Sequence, residues 1–267
     1  MPINVRLYKK GGPSHLDLMQ QMAEEVAGWL PNHRFVLHCD GAYASLAGRE
    51  LPRTHLISRM RKDAALFNQA PERRPGQRGR PRKKGERLPS LEEIARSVPA
   101  EEWSDVVIDV RGRGVRRLLW DLPVVWYAVC PDRPLLLVIV RDPDGEQPDD
   151  FFFSTNLAMA PEAVASGYAG RWSIEDTNRN AKQFLGAEDP QCWAKDGPAR
   201  AAALSLWTYS AVWLWYLACH EALPTWKTRP WYTAKRTPSF ADALASLRHA
   251  LWAPAFPRGP NRRRSSR

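Results

Sequence analysis

Six polar side chains in the stretch YAGRWSIEDTNRNAKQFLG, residues 168–186, stand at spacings that gather them on one side of a helix. At about 100° per residue, with Tyr168 at 0°, Arg171 falls at about 300°, Glu175 at about 340° and Asn178 at about 280°. Arg179 falls at about 20° and Lys182 at about 320°, so the six share a stripe roughly 100° wide. Ile174 and Leu185, at about 240° and 260°, border it and form the apolar flank expected to pack. One reading is a row of i,i+4 ion pairs, Arg171 with Glu175 and Glu175 with Arg179. The other is chemical. A second acid, Asp40, ends the apolar run HRFVLHCD at 33–40. Two carboxylates from different elements could hold Mg2+, which takes few protein carboxylates and leaves positions for phosphate oxygens. With a third carboxylate they could hold two ions for in-line phosphoryl transfer, and cations around the glutamate would grip a DNA backbone.

The elements that must position these groups can be read from periodicity. INVRLY (3–8) alternates like a strand, and SHLDLMQQMAEEVAGWL (14–30) has helical spacing behind a serine cap. A buried strand at 33–40 followed by a turn puts Asp40 at a strand's carboxyl end, where ligand sites open in α/β sheets. THLISRM (54–60) reads as another strand. WSDVVIDVRG (103–112), PVVWYAVC (123–130), PLLLVIVRD (134–142) and DDFFFSTNL (149–157) follow as strands, with CPDRP turning a hairpin between the second and third. Helices are expected over 161–186, 198–222 and 239–251. The sum is an α/β chain with a β-rich stretch between Asp40 and Glu175.

The chain has 267 residues, 44% hydrophobic, enough for a sizeable core, and a net charge of +10. That charge is concentrated. PERRPGQRGRPRKKGER (71–87) carries net +6 and RGPNRRRSSR (258–267) net +5, which leaves the remainder near neutral. Such segments neutralise phosphates, unless they are merely a solvated linker and a solvated tail. Neither has the apolar face of a membrane-surface helix, so a polyanion is the expected partner. The four cysteines are far apart, which signals neither a zinc site nor a disulfide framework and fits a reducing cytosol. The N-terminus lacks the apolar stretch of a secretory signal. AAALSLWTYSAVWLWYLAC (201–219) has no charge and is near membrane-spanning length, although a buried helix reads the same way.

Tyr168, Arg171, Glu175 and Lys182 reproduce the Y-x(2)-R-x(3)-E-x(6)-K signature of DDE insertion-sequence transposases. HCDGAYAS resembles the segment around that family's second catalytic Asp. SRMRKDAALF, GQRGRPRKKGERLP and WYTAKRTPSFADALASLR are similar to further stretches of the same group, so the resemblance covers nearly the whole chain. It implies an RNase-H-like (retroviral integrase superfamily) core, here partial, with a β-rich insertion between the second Asp and the Glu. Asp40 and Glu175 would be the catalytic, metal-binding carboxylates, with Mg2+ as cofactor and Mn2+ able to substitute. Tyr168, Arg171, Arg179 and Lys182 would contact DNA near the cleaved strand, and Arg80, Arg82, Lys83 and Lys84 of the basic segment would contact the duplex. Trp172 is expected to be a core anchor, with an aromatic contact to DNA as the alternative. The implied partner is double-stranded DNA, at transposon ends and target, engaged by a homodimer in the cytoplasm at a prokaryotic nucleoid, with no membrane. The implied organisation is a core part at 1–70, a basic linker and short helix at 71–100, the β-rich insertion at 101–157, a helical part bearing Glu175 at 158–255, and a basic tail at 256–267. Two departures stand out. Asn178 replaces a Phe frequent in the family. Only 39 residues precede Asp40, and their acids are Asp17, Glu24 and Glu25, all in the helical stretch. The family's first Asp is therefore not found, and the expectation is an N-terminally truncated chain that binds DNA without cutting it.

Overall fold

The apolar runs gather into one six-stranded mixed sheet of order β1-β2-β6-β5-β4-β3. Its strands are β1 Phe35–Cys39, β2 Thr54–Arg59, β3 Ser104–Asp109, β4 Gly114–Val124, β5 Leu135–Arg141 and β6 Asp150–Ser154. The helices are α1 His15–Trp29, α2 Leu91–Ser97, α3 Pro161–Gly170, α4 Ser173–Leu185, α5 Gly197–Cys219 and α6 Phe240–Trp252. The computed structural model describes residues 1–72, 79–191, 194–219, 230, 233, 235 and 237–252. The chain divides into two units, Tyr8–Ser173, and Met1–Leu7 with Ile174–Arg267.

In the first unit the layering follows from β5, whose run LLLVIV is buried throughout. Successive side chains of a strand point to opposite faces. Leu135, Leu137 and Ile139 accordingly join one apolar cluster with Leu46, Leu91, Ile94 and Phe153. Leu136, Val138 and Val140 join another with Val164 and Ala165 of α3. The sheet is thus covered on one face by α2 and the turn after β1, and on the other by α3. β1 and β2 are parallel, with Cys39 opposite Ser58, and the remaining pairs are antiparallel.

Two expected strands are not there. Residues 3–8 form no strand; all but Tyr8 belong to the second unit, where the Pro2 carbonyl accepts a hydrogen bond from Ser210 Oγ at 2.7 Å. Of the run 123–130 only Pro123 and Val124 belong to a strand, the end of β4. The pairing to β5 is real, but its partner starts earlier, at Gly114, because the polar-alternating GVRRLLWDL is an amphipathic strand and not a loop. Pro123 lies past the end of β3, whose last partner on β4 is Leu119, so its missing N–H leaves no gap in that ladder. Val125 instead bridges Phe67, and Trp126 begins a turn that takes the N–H groups of Val129 and Cys130.

Ser14 caps α1 as its position predicts, and Asp17 completes the capping box. Asp17 also pairs with Arg49 at 2.8 Å. The hydrogen bonds from Ser14 and the Arg49 guanidinium bring its carboxyl from 3.8 down to about 2. A depressed carboxylate contributes stability above its ordinary pKa, and loses it as pH falls through the folded value. Thermal midpoints of the chain and of Asp17→Asn are therefore expected to differ at pH 5–6 and to converge between about pH 4 and pH 2. A gap that stays constant down to pH 2 would remove this role from Asp17.

In the second unit Tyr209, Val212 and Tyr216 of α5 pack on Phe240, Ala243 and Leu244 of α6. The Tyr209 and Phe240 rings stack at 4.4 Å. The uncharged stretch 201–219 is thus a packed helix with a second apolar face, Leu204, Trp207, Leu214 and Leu217, exposed. Among the described residues, no helix is long and apolar enough to cross a membrane.

Candidate active site and nucleic-acid interface

Asp40 stands directly after β1 and caps the 3-10 turn Gly41–Gly48. Its Oδ1 accepts the Gly41 N–H at 2.7 Å. Its carbonyl accepts the hydroxyl of the buried Ser58 at 3.1 Å and the Tyr43 N–H at 2.9 Å. The side chain is exposed, so a carboxylate oxygen faces solvent from a backbone fixed on three sides. The β1–β2 register sets Arg59 beside it, one step past the Cys39–Ser58 pair. Arg59 bonds Asp150 at 2.6 Å and lies 5.7 Å from the centroid of the Tyr168 ring.

Tyr168, in the last turn of α3, and Arg171, at its C-cap, come to this end of the unit. The Tyr168 ring packs on Phe152 with centroids 4.4 Å apart, and the Arg171 guanidinium lies 5.4 Å from the same tyrosine ring. Gly167 permits the approach: a Cβ there would come 2.8 Å from Nε2 of His38 on β1. Burial lowers the pKa of His38. Cys39 reports the neighbourhood electrically. Burial, then the Asp40 charge, push its thiol up to about 12, while Arg171 pulls it down. Asp40, Arg59, Tyr168 and Arg171 therefore form one cluster within the first unit.

The single helix expected over 161–186 is two helices. Gly170 ends α3, Arg171 closes a tight turn onto the Tyr168 carbonyl, and α4 starts anew at Ser173 with Glu175 and Asp176 in its first turn. Two glycines in the last turn of α3 weaken that helix by about 1 kcal/mol each, and acids suit the start of the next. The six-residue row is consequently divided: Tyr168 in the last turn of α3, Arg171 at its C-cap, and the other four on α4. Glu175, Asn178, Arg179 and Lys182 do share a face, lining a shallow concavity of about 410 Å³ in the second unit. There Arg179 pairs with Asp176, and Lys182 with Glu188 at 2.5 Å. The flank assigned to Ile174 and Leu185 is only half packed: Leu185 joins the α5–α6 cluster, whereas Ile174, in the first turn of the new helix, is 54% exposed and not a core residue. Trp172 is 44% exposed and lies under the Arg111 guanidinium at 4.5 Å, a stacking platform and not a core anchor.

In the basic segment Arg80, Arg82, Lys83 and Lys84 line a concavity of about 590 Å³ with Tyr127. Lys84 Nζ is 3.7 Å from the Phe67 ring centroid and 4.3 Å from that of Tyr127, and Lys83 bonds Asp132 at 2.5 Å. Arg73, Arg74 and the tail 258–267 lie outside the described residues.

Asp40 and Glu175 offer carboxylate oxygens, the donor type that suits Mg2+. Asp17 does not join them, since its carboxylate is committed to Ser14 and Arg49. Among the described residues, no three His, Cys, Asp or Glu side chains cluster as a metal site. Sequence reasoning missed Arg59, His38 and Arg111. A cation ending the strand next to that of Asp40 was the available signal for Arg59; nothing local marked the other two.

No match was found among curated proteins. The family model described as the transposase DDE domain matches residues 1–209. That span contains Asp40, Tyr168, Arg171, Glu175 and Lys182 and most of the chain, which therefore belongs to the transposase DDE domain family.

Proposed function

We propose that the chain serves insertion-sequence transposition and recombination by binding double-stranded transposon-end and target DNA as a homodimer, at the nucleoid in the cytoplasm. The reaction class is phosphodiester cleavage followed by strand transfer to the freed 3′-OH. Asp40 and Glu175 are the residues that would hold Mg2+, with Mn2+ able to substitute. Bound there, the ion would stabilise charge on the attacking and leaving oxygens. Tyr168, Arg171, Arg179 and Lys182 would hold the backbone of the cleaved strand, and Arg80, Arg82, Lys83 and Lys84 the neighbouring duplex. In this reading the sheet around β1 belongs to an RNase-H-like core and β3–β6 to an insertion ahead of Glu175.

We further propose that residues 1–267 by themselves bind DNA without cutting it. The observation that supports this is the engagement of Asp17 in a capping box and an ion pair, which commits that carboxylate elsewhere. Catalytic groups that act as a unit lose most of the rate when one is missing. The test is incubation of supercoiled plasmid with the chain and Mn2+, beside the double variant Asp40→Asn, Glu175→Gln. Retention of DNA at low salt with no nicking by either protein is expected. Nicking by the unaltered chain and not by the double variant would show that a third carboxylate is at work. Failure to retain DNA would remove the DNA-binding reading itself.

A further inference from the structure

The β3–β4 hairpin carries VRGRGVRR at 110–117, four arginines in eight residues. Two of them are neutralised within the fold. Arg116 forms a two-pronged pair with Asp105 at 2.5 Å, and Arg117 meets Asp142 at 3.3 Å. The two at the tip, Arg111 and Arg113, are exposed and form no ion pair among the described residues.

The tip has an unusual backbone. Val110 and Arg113 exchange both main-chain hydrogen bonds, leaving Arg111 and Gly112 as the two turn residues. Both have positive φ, 56° and 78°. Tight hairpins of this kind favour Asn-Gly, because asparagine tolerates the left-handed region, whereas an ordinary side chain there costs about 1–2 kcal/mol. An arginine holds the position instead. Its guanidinium lies over Trp172, the residue after Arg171. The turn is also fastened from below: the Asp109 carboxylate accepts the Gly112 N–H at 2.6 Å, and the Asp109 N–H donates to Ser166 of α3 at 3.2 Å. A disfavoured residue kept in a fixed, solvent-facing geometry beside the Asp40–Arg171 cluster is a mark of function more than of folding.

We propose that this hairpin tip is a DNA-contacting element in its own right, with Arg111 and Arg113 gripping phosphates of duplex DNA from a position fixed by Trp172 and Ser166. The proposal rests on the reading that the chain binds DNA. It adds a site distinct from the basic segment at 80–84.

Fluorescence anisotropy with a labelled duplex across a salt series tests it, using the chain, Arg111→Gly, the double variant Arg111→Ala, Arg113→Ala, and Arg116→Ala. Each phosphate contact adds about 0.9 to the steepness of log K against log salt. Arg111→Gly is expected to flatten the slope by about 0.9 and the double variant by about 1.8. Glycine suits the left-handed turn, so Arg111→Gly is expected to melt no lower than the unaltered chain, which separates loss of binding from loss of fold. Arg116→Ala is expected to leave the slope unchanged. A steep slope for the chain that Arg111→Gly and the double variant leave intact would overturn the proposal and spare the DNA reading. Equal flattening by Arg116→Ala would also overturn it, since total charge would then explain the effect. A flat slope for the unaltered chain would reject both.

Discussion

Raising salt from 50 to 200 mM is expected to weaken duplex binding by about 250- to 1,000-fold. The figure follows from the release of counterions: five phosphates neutralised by Lys and Arg give a log–log slope of about −4 to −5, here applied to a fourfold rise in salt. The sequence supplies more than enough cations, net +6 over 71–87 and net +5 over 258–267. The structure shows that they are not equivalent. Lys83 already has Asp132, and Lys84 is held between the rings of Phe67 and Tyr127, so both would exchange an existing partner for a phosphate. Arg80 and Arg82 are exposed and have no such partner among the described residues. Removal of residues 258–267 is expected to flatten the slope by at least about 1. Filter binding across the same salt range checks both statements, and a slope near zero for the full chain would contradict the first.

Gly48→Ala is expected to be the most damaging single-methyl addition in the first unit, costing at least about 3 kcal/mol and lowering the thermal midpoint by roughly 6–12 °C. A Cβ at Gly48 would lie 1.9 Å from the carbonyl oxygen of Val129. That carbonyl cannot retreat cheaply. It belongs to the turn held by two hydrogen bonds to Trp126, at 3.0 and 2.8 Å, between the buried side chains of Trp126 and Cys130. Gly28 is the control. It lies in α1 with nothing within 4 Å of its added Cβ, so Gly28→Ala is expected to raise stability by about 0.5–1 kcal/mol. Chemical denaturation of the two variants decides the matter. Equal effects would mean that the turn following Asp40 is not seated on residues 126–130.

The sequence made some of this architecture legible and hid the rest for physical reasons. The Ser14 cap, β1 ending just before Asp40, and the doubly buried β5 were readable because capping chemistry and continuous apolar runs act locally. β4 was hidden because its outer face alternates with arginines, and its real extent is set by partners on both sides rather than by its own residues. The break after Gly170 was hidden because the polar spacing of Tyr168 to Lys182 fits a continuous helix. Spacing measures angles only if the helix persists, and the two glycines of α3 argued against that. The exposed setting of Trp172 was hidden because its partner Arg111 lies far away in sequence on a hairpin tip. The cluster of Arg59, Tyr168 and Arg171 near Asp40 likewise depends on the β1–β2 register and on the close approach at Gly167.

The hydrogen bond from Gly41 to Asp40 has an entropic consequence. Ordering a side chain when a ligand arrives commonly costs about 0.5–1.5 kcal/mol. With Oδ1 held at 2.7 Å by the first amide of the following turn, the Asp40 carboxylate is ordered as the turn folds and not when it is used. Rotamer freedom at this acid is thus surrendered once, during folding, and any cation or donor that meets the remaining oxygen finds a group already aimed.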